Sequence, residues 1–170
     1  MSTLEKDIYK KKIEKSYYLT LRDLIMGVTY EELIEDMYEF ERNVEVEQVA
    51  IIKDGPHKHV SVDGCVGNDG IIEIKNTNGP NYIETISKNK VPAEHAKQIA
   101  WGLLISQRKW CDFIQSHWIR RNGEIVAGYP DRPIWIKRVE RDEKLIKELD
   151  DGADLFIKEM LEIVEKIKGK

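Results

Sequence analysis

The chain has 170 residues, 41% of them hydrophobic and 34% charged, which is the size and composition of one folded domain rather than of a disordered segment. Its 27 basic and 31 acidic residues give a net charge of −4, which argues against binding of polyanions by bulk charge alone but allows a local basic groove. The two cysteines, Cys65 and Cys111, are too few for a four-cysteine zinc or iron–sulfur site within one chain. We expect both to be buried free thiols in a soluble cytoplasmic protein, with a single disulfide as the alternative, because the sequence has neither a signal-peptide core nor an apolar stretch long enough to span a membrane.

The N-terminal part of the sequence predicts two helices. Loosely spaced apolar residues among lysines predict a helical segment over residues 1–28, with Gly27 near its end. Thr29 and Glu32 form a capping box, which predicts a second helix that runs to about Glu41. Apart from the side predicted to face the core, this second helix is acidic.

A meander of strands follows these helices. Alternating β-branched residues predict three strands, over residues 44–52, 57–65 and 71–77. The glycine-rich turn at residues 67–70 joins the last two strands into a hairpin. In the third strand, Glu73 and Lys75 point to the same face because they are two residues apart, and Ile72 and Ile74 point to the opposite face.

The second half of the sequence predicts a helix, two strands and a final helix. Pro92 opens the first of these helices, which runs to about Ser106. The two strands are predicted over residues 110–118 and 133–139. Residues 142–168 form a long amphipathic helix, with Phe156 and Ile167 among the residues on its apolar side. This order of elements predicts an α/β (α+β) domain, in which helices pack around a mixed sheet.

Three residues of the predicted hairpin could carry chemistry. Asp63 lies on one arm, and Glu73 and Lys75 lie on the other, so the turn between the arms can bring the two carboxylates together. Carboxylates a few ångströms apart repel each other unless a divalent cation lies between them, and oxygen ligands favour Mg²⁺ or Mn²⁺. A lysine on the same face can position a water molecule or stabilise the charge that develops on an attacked phosphate. Metal-assisted hydrolysis of a phosphodiester requires such a set.

The spacing of these three residues does not by itself single out a metal site. Because 34% of the chain is charged, such a triplet arises often by chance, and a solvated hairpin with an exposed cross-strand salt bridge is the alternative. The context favours the metal site, since the carboxylates lie in an otherwise apolar hairpin beside a glycine-rich turn.

The triplet also resembles the core motif of the PD-(D/E)XK nuclease superfamily. The wider sequence is similar to the viral recombinase branch of that superfamily, the phage lambda exonuclease (YqaJ-like) family. Tyr30-Glu31 resembles the start of the family's helix with an extra active-site glutamate, and Glu31 lies 32 residues before Asp63, as in the family. The similarity continues through residues 92–98, 108–113, and 136–143 together with 156–160.

The resemblance implies a role for each matching residue of the hairpin and of the glutamate helix. Asp63 and Glu73 would bind the metal ion, with the backbone carbonyl of Ile74 as a further ligand. Lys75 would act on the attacking water. Glu31 would help to bind a second metal ion or the water network.

Two residues near the start of the helix after Pro92 complete the implied catalytic set. Gln98 would assist the lysine or the scissile phosphate. His95, three residues earlier, stands where the family usually has tyrosine.

Basic residues near these motifs are candidate phosphate contacts. Lys88 and Lys90 lie in a predicted loop that we expect to contact DNA, and Arg108 and Lys109 precede a predicted strand. For each of these four residues taken alone, an ordinary surface position is the alternative.

The resemblance implies a restriction-endonuclease-like fold, with residues 29–170 as the catalytic core of a single domain over residues 1–170. It implies a Mg²⁺-dependent deoxyribonuclease, with Mn²⁺ able to substitute, that digests duplex DNA ends from 5′ to 3′ for recombination. A single-strand annealing protein as partner and a trimeric ring around the DNA are implied as well. Two alternatives stay open: an endonuclease or single-strand nuclease on the same fold, and a catalytically silent DNA-binding protein.

Overall fold

The computed structural model of the protein describes residues 30–169. The predicted helical segment over residues 1–28 and the predicted cap at Thr29 lie outside the described residues. The α-helices of the described part are α1 (Tyr30–Arg42), α2 (Gly79–Lys88), α3 (Ala96–Ser106) and α4 (Glu143–Lys168), and a short 3₁₀ helix lies at Ala93–His95.

A mixed five-stranded sheet forms the centre of the fold. The strands of the described part are β1 (Val46–Glu47), β2 (Ile52–Asp54), β3 (Lys58–Val60), β4 (Gly64–Val66), β5 (Gly70–Asn76), β6 (Trp110–Ser116), β7 (Trp118–Arg121), β8 (Glu124–Ala127) and β9 (Ile134–Glu140). The central sheet has the order β1-β4-β5-β6-β9, in which β5 and β6 are parallel and the other neighbours are antiparallel. The pairs β2–β3 and β7–β8 are two separate antiparallel ribbons.

Helices pack on both faces of the central sheet. On one face, Ile71 of β5 belongs to the same buried cluster as Leu103 of α3. On the opposite face, Ile72 and Ile74 of β5 pack in a second cluster with Ile34 of α1. The alternation predicted for this strand is therefore confirmed, and so is the predicted fold class, a mixed central sheet flanked by helices.

The predicted strands before β5 are too long. The strand predicted over residues 44–52 is replaced by β1 and β2 with an irregular segment between them, and the strand predicted over residues 57–65 is interrupted before Gly64. Asp63 lies in this interruption, where its Oδ2 accepts a hydrogen bond of 2.6 Å from the main-chain N–H of Ile74. A side chain that bonds the backbone of the neighbouring strand competes with the regular ladder, which accounts for the break.

The sequence analysis misses one helix, α2. The Asn-Gly-Pro motif after β5 predicts only a break in the strand, whereas it also begins this helix. Asn78 caps α2, because its side-chain oxygen accepts a hydrogen bond of 2.9 Å from the N–H of Asn81, and Pro80 occupies an early position where no donor is needed. Lys88 consequently ends a helix, and Lys90 lies in the connection that follows.

The helix predicted to open at Pro92 begins later than expected. The 3₁₀ helix at Ala93–His95 comes first, and α3 begins at Ala96. His95 is therefore the residue that immediately precedes α3, whereas Gln98 lies within its first turn.

The long helix predicted over residues 142–168 is confirmed as α4. Asp142 caps it, since its carboxylate accepts hydrogen bonds of 3.1 Å from the N–H groups of Lys144 and Leu145. The predicted apolar side is not covered by the other described residues over its C-terminal part, because Phe156 is 66% exposed and Ile167 is 68% exposed.

The structure also bears on the state of the cysteines and on whether any helix could span a membrane. Cys65 and Cys111 are free and buried, as predicted. Among the helices within residues 30–169, none is long and apolar enough to cross a membrane.

Candidate active site

The two carboxylates of the predicted metal site lie opposite each other at the end of the β4–β5 hairpin. Gly64 of β4 pairs with Ile72 of β5, so one further step in this antiparallel register brings Asp63 opposite Glu73. Burial raises the pKa of the Glu73 carboxyl, and the charge of Asp63 raises it further, as expected for two acids in close proximity. The convergence predicted from the sequence is therefore present in the structure.

Glu73 is the most constrained acid of the site. It is 6% exposed, and burial is the main cause of its raised pKa. Two partners act in the opposite direction and lower this pKa: Lys75 forms an ion pair with Glu73 Oε1, and Gln98 Nε2 donates a hydrogen bond of 2.7 Å to the same oxygen. The buried carboxylate is thus oriented by a cation from its own strand and by an amide from α3.

Lys75 lies at the boundary between the buried strand and the solvent. Its side chain is 32% exposed, and it points to the same face of β5 as Glu73. In the parallel pairing of β5 with β6, Lys75 is the partner of Gln115, a buried polar residue that the sequence analysis did not consider. The Lys75 side chain therefore lies between the buried Glu73 carboxylate and the solvent.

His95 approaches the same region from the start of α3. Its ring lies 5.1 Å from the ring of Phe113, measured between centroids. Burial lowers the pKa of His95, the nearby Glu94 raises it, and the charge of Lys75 lowers it further. The lowered pKa favours a neutral imidazole beside the cationic Lys75.

An acidic cavity lies between α1 and Asp63. It has a volume of about 650 Å³, and both Glu31 and Asp63 line it together with Ile74. Glu31, predicted from the resemblance alone, is therefore brought to the same cavity as Asp63, although it belongs to a different element.

Two further residues of this acidic cavity are missed by the sequence analysis, Glu35 and Gln48. Gln48 Nε2 donates a hydrogen bond to Glu35 Oε2 and a second bond of 3.3 Å to the main-chain oxygen of Asp63. Burial, followed by the charges of Glu39 and Asp36, raises the pKa of Glu35 to about 7, while the bond from Gln48 lowers it. The position of Glu35, one helical turn after Glu31, is a signal that the sequence contains.

The donor atoms of the site fit a divalent cation of the magnesium type. Within residues 30–169, no group of three or more histidine, cysteine, aspartate or glutamate side chains is gathered as a metal-binding cluster. Mg²⁺ commonly keeps several water molecules and is bound by one or two carboxylates, so a large cluster is not required. The opposed carboxylates of Asp63 and Glu73 and the main-chain oxygen of Ile74 are hard oxygen donors of the appropriate type.

The four candidate DNA contacts fall into two separate places. Lys88 and Lys90 line a second cavity, which also contains Lys75. Arg108 and Lys109 instead lie beside the glycine-rich turn at the beginning of β5, roughly 16 Å along the strand from Lys75 at about 3.3 Å per residue.

The pair at the glycine-rich turn already has protein partners. Arg108 Nη1 donates hydrogen bonds of 2.5 and 2.9 Å to the main-chain oxygens of Gly67 and Gly70. Lys109 Nζ lies 3.0 Å from Asp69 Oδ2. Both side chains therefore bind the turn that closes the β4–β5 hairpin.

A buried ion pair supports the helix that carries Glu31 and Glu35. Asp112 of β6 is fully buried and accepts hydrogen bonds of 2.8 and 2.9 Å from Arg138 of β9. Tyr38 of α1 donates a further hydrogen bond of 2.9 Å to the same carboxylate. This network connects α1 to two strands of the central sheet.

The fold is shared with a class of nucleases of known structure. The chain is similar to the crystal structure of the alkaline exonuclease LHK-Exo from Laribacter hongkongensis, with a TM-score of 0.69 and 32% identity over 81% of this chain and 68% of that chain. A structure of LHK-Exo in complex with dAMP gives a TM-score of 0.68 with 32% identity over the same shares, 81% and 68%. A phage related exonuclease from Haemophilus somnus 129PT shares the fold, with a TM-score of 0.55 and 15% identity over 85% of this chain and 74% of that chain.

The sequence identifies the family within this class. Residues 3–109 match the profile of the YqaJ-like viral recombinase domain. The chain belongs to this family, and it is a nuclease of the alkaline exonuclease type. No curated protein matches the chain. The predicted resemblance is confirmed.

Proposed function

We propose that the protein is a Mg²⁺-dependent deoxyribonuclease that degrades duplex DNA from its ends, 5′ to 3′, for recombination. The observation that carries this proposal is the meeting of Asp63 and Glu73 beside Lys75 at one end of β5. The solved relatives support the choice of an exonuclease, since LHK-Exo is described as an alkaline exonuclease and its structure includes a complex with dAMP.

Each residue of the site has a proposed role in hydrolysis. Asp63, Glu73 and the main-chain oxygen of Ile74 would hold the cation, and Glu31 would extend the set toward a second cation or its water molecules. When bound, Mg²⁺ supplies Lewis-acid stabilisation of the charge on the scissile phosphate.

Three side chains would act on the water and on the carboxylate rather than as the principal ligands. Lys75 would orient the attacking water and stabilise the negative charge that develops on the phosphate. Gln98 would keep Glu73 Oε1 in its orientation through the 2.7 Å hydrogen bond. His95, in contact with Phe113 and close to Lys75, would limit the directions in which the lysine can point.

The proposal extends to partners that the family resemblance implies. Duplex DNA ends are the proposed substrate, a homotrimeric ring is the proposed assembly, and a single-strand annealing protein is the proposed partner. Mn²⁺ is expected to replace Mg²⁺, because the oxygen donors of the site suit both ions. The cytoplasm of a host cell is the proposed location.

Cleavage assays with linear and closed circular duplex DNA test this function. We expect wild type to release nucleotides from a linear duplex only when Mg²⁺ is present, and to release them from the 5′-ended strand first. Lys75→Ala should lower the rate by at least ~10²-fold, whereas Lys144→Ala, a change on the exposed surface of α4, should leave it unchanged.

The same assay distinguishes the alternatives. Cleavage of closed circular duplex would indicate an endonuclease, and cleavage of single strands alone would indicate a single-strand nuclease. Equal activity of wild type and Lys75→Ala, or no Mg²⁺-dependent cleavage by either, would contradict the proposal.

A further inference from the structure

A second cavity lies beside Lys75, outside the acidic cavity that contains Asp63. It has a volume of about 600 Å³, and it is bounded by the end of β5, by α2 and by the connection that leads to His95. Cavities of roughly 300–1,000 Å³ are typical of sites that hold small molecules. Ile74 lines the acidic cavity and Lys75 lines this one, so consecutive residues of β5, whose side chains point to opposite faces of the sheet, line the two cavities.

Gln115 is the unusual residue of the second cavity. It is 3% exposed, and its Oε1 is buried without a hydrogen-bond partner among the described residues. A buried acceptor that lacks a partner is destabilising, because it has lost its hydrogen bonds to water and gained none in the protein. An apolar side chain of similar size would avoid this cost, so the packing of β6 alone does not explain a glutamine at this position.

The position of Gln115 relates it directly to the proposed chemistry. Gln115 is paired with Lys75 across β5 and β6, so the two side chains share one face of the sheet. Thr85, which is also buried, lines the same cavity from α2. Polar groups therefore reach the base of the cavity next to the lysine proposed to act on the phosphate.

The charges around this cavity are mixed, with an excess of lysines. Lys75, Lys88 and Lys90 line it, against two acids, Glu84 and Glu94. Glu84 is already paired with Lys88. A ligand that combines a phosphate with hydrogen-bonding groups matches this distribution, because the lysines suit the anion and the buried amide suits a donor on the remainder of the ligand.

We infer that this second cavity holds the deoxynucleotide unit next to the scissile phosphate, with the Gln115 amide bonded to that unit and Lys90 beside its phosphate. The inference rests on the proposed nuclease function, because the ligand is one unit of the strand being cut. It adds a specific contact, Gln115, to the residues proposed for hydrolysis.

Calorimetric titration with deoxyadenosine 5′-monophosphate, in the presence of Mg²⁺, tests the assignment without relying on turnover. We expect Gln115→Leu, which keeps a similar volume but removes the amide, to weaken binding of this nucleotide by about tenfold, because the nucleotide loses a hydrogen bond to the amide. Binding of inorganic phosphate should be unchanged in Gln115→Leu, because the phosphate does not reach the amide.

Two other variants separate a lost contact from a damaged fold. Lys90→Ala, at an exposed position, should weaken both the nucleotide and inorganic phosphate. Trp118→Phe is the matched control, since it removes the other buried polar atom that lacks a partner, Trp118 Nε1, at a site outside this cavity. Trp118→Phe should bind the nucleotide as wild type does.

The outcomes distinguish this assignment from the proposed function. Wild-type affinity for the nucleotide in both Gln115→Leu and Lys90→Ala would overturn the assignment, even if Mg²⁺-dependent cleavage of linear duplex is observed. A tenfold loss in Gln115→Leu without any cleavage by wild type would overturn the proposed function, and with it the identification of the ligand as a unit of the cut strand. Weaker binding in Gln115→Leu together with cleavage by wild type supports both.

Discussion

Burial raises the pKa of two carboxyl groups at this site, Glu73 and Glu35, but their surroundings differ. Glu73 is compensated by Lys75 and Gln98, so its charge is stabilised within the protein. Glu35 has one compensating partner, Gln48, and is opposed by the neighbouring acids of α1. The carboxylates of the acidic cavity therefore repel one another, and a bound cation would reduce this repulsion.

The stability of the protein should depend on the ionisation of Glu35. Its pKa is raised from the ordinary value of 4.5 to about 7, so the folded state binds this proton more tightly than the unfolded state. The contribution of Glu35 to the free energy of unfolding should therefore be fully present below pH 4.5 and be lost as the pH rises toward 7. Glu35→Gln should remove this loss and stabilise the protein at pH 8 but not at pH 4, by about 1 kcal/mol after allowance for solvent screening.

Thermal unfolding without divalent cations, at pH 4 and at pH 8, measures the effect. A gain of 1 kcal/mol corresponds to a rise in Tm of about 2–4 °C for a protein of this size. Glu148→Gln, which removes an exposed acid from α4, is the control and should show no such difference between the two pH values. An equal shift for Glu35→Gln at both pH values would contradict the raised pKa.

At the scale of elements, the Asp112 network determines where α1 lies on the sheet. The carboxylate of Asp112 has donors from α1 and β9, and its own strand, β6, lies between β5 and β9. The guanidinium of Arg138 also stacks on the ring of Trp110, 3.5 Å from its centroid. Since Glu31 belongs to α1, this network supports one side of the acidic cavity from a distance.

Removal of this anchor should destabilise the fold strongly. Asp112→Ala leaves the Tyr38 hydroxyl and the Arg138 guanidinium without their carboxylate, and loss of one partner of a buried pair costs roughly 3–5 kcal/mol. We expect about 2–3 kcal/mol, because Arg138 is partly exposed to solvent. Asp69→Ala, which breaks the exposed pair with Lys109, is the matched control and should cost less than ~1 kcal/mol. Urea denaturation compares the two variants, and equal losses would contradict the anchoring role.

The elements that the sequence predicts well are those with a regular apolar period. The alternation of β5 and the amphipathic period of α4 are local signals, and both predict the observed structure. The interruption before β4 depends on a hydrogen bond that the main-chain N–H of Ile74 donates to Asp63, eleven residues earlier, which no local pattern contains. The missed α2 is different, since its cap at Asn78 and its Pro80 are local signals that also fit a simple turn.

The same distinction applies to the residues of the site. The hairpin register makes the meeting of Asp63 and Glu73 predictable, because the turn fixes which residues face each other. Gln48 reaches Glu35 from an irregular segment between β1 and β2, and the isolated acceptor of Gln115 depends on the packing of β6 against its neighbours. Such contacts depend on the tertiary structure, so no spacing of residues in the sequence predicts them.

At the scale of the whole molecule, the net charge of −4 does not show that the two cavities differ in charge. The cavity of Asp63 is lined by acids, and the cavity of Lys90 contains an excess of lysines. Consecutive residues of β5, Ile74 and Lys75, line the two cavities, and a phosphate bound at this end of the strand would lie near both the proposed cation site and the lysines. DNA binding by this protein is therefore expected to depend on local geometry and on the metal ion rather than on total charge.

The dependence of the cleavage rate on Mg²⁺ concentration, for wild type and Glu73→Gln on the same 5′-labelled linear duplex, tests the central claim most directly. The glutamine keeps the size of the side chain but removes the charge that would bind the cation. We predict that wild type shows a saturable increase in rate with Mg²⁺, and that Glu73→Gln is slower by at least ~10²-fold at every Mg²⁺ concentration. The same Mg²⁺ dependence and the same rate in both proteins would contradict a catalytic metal site at Asp63 and Glu73.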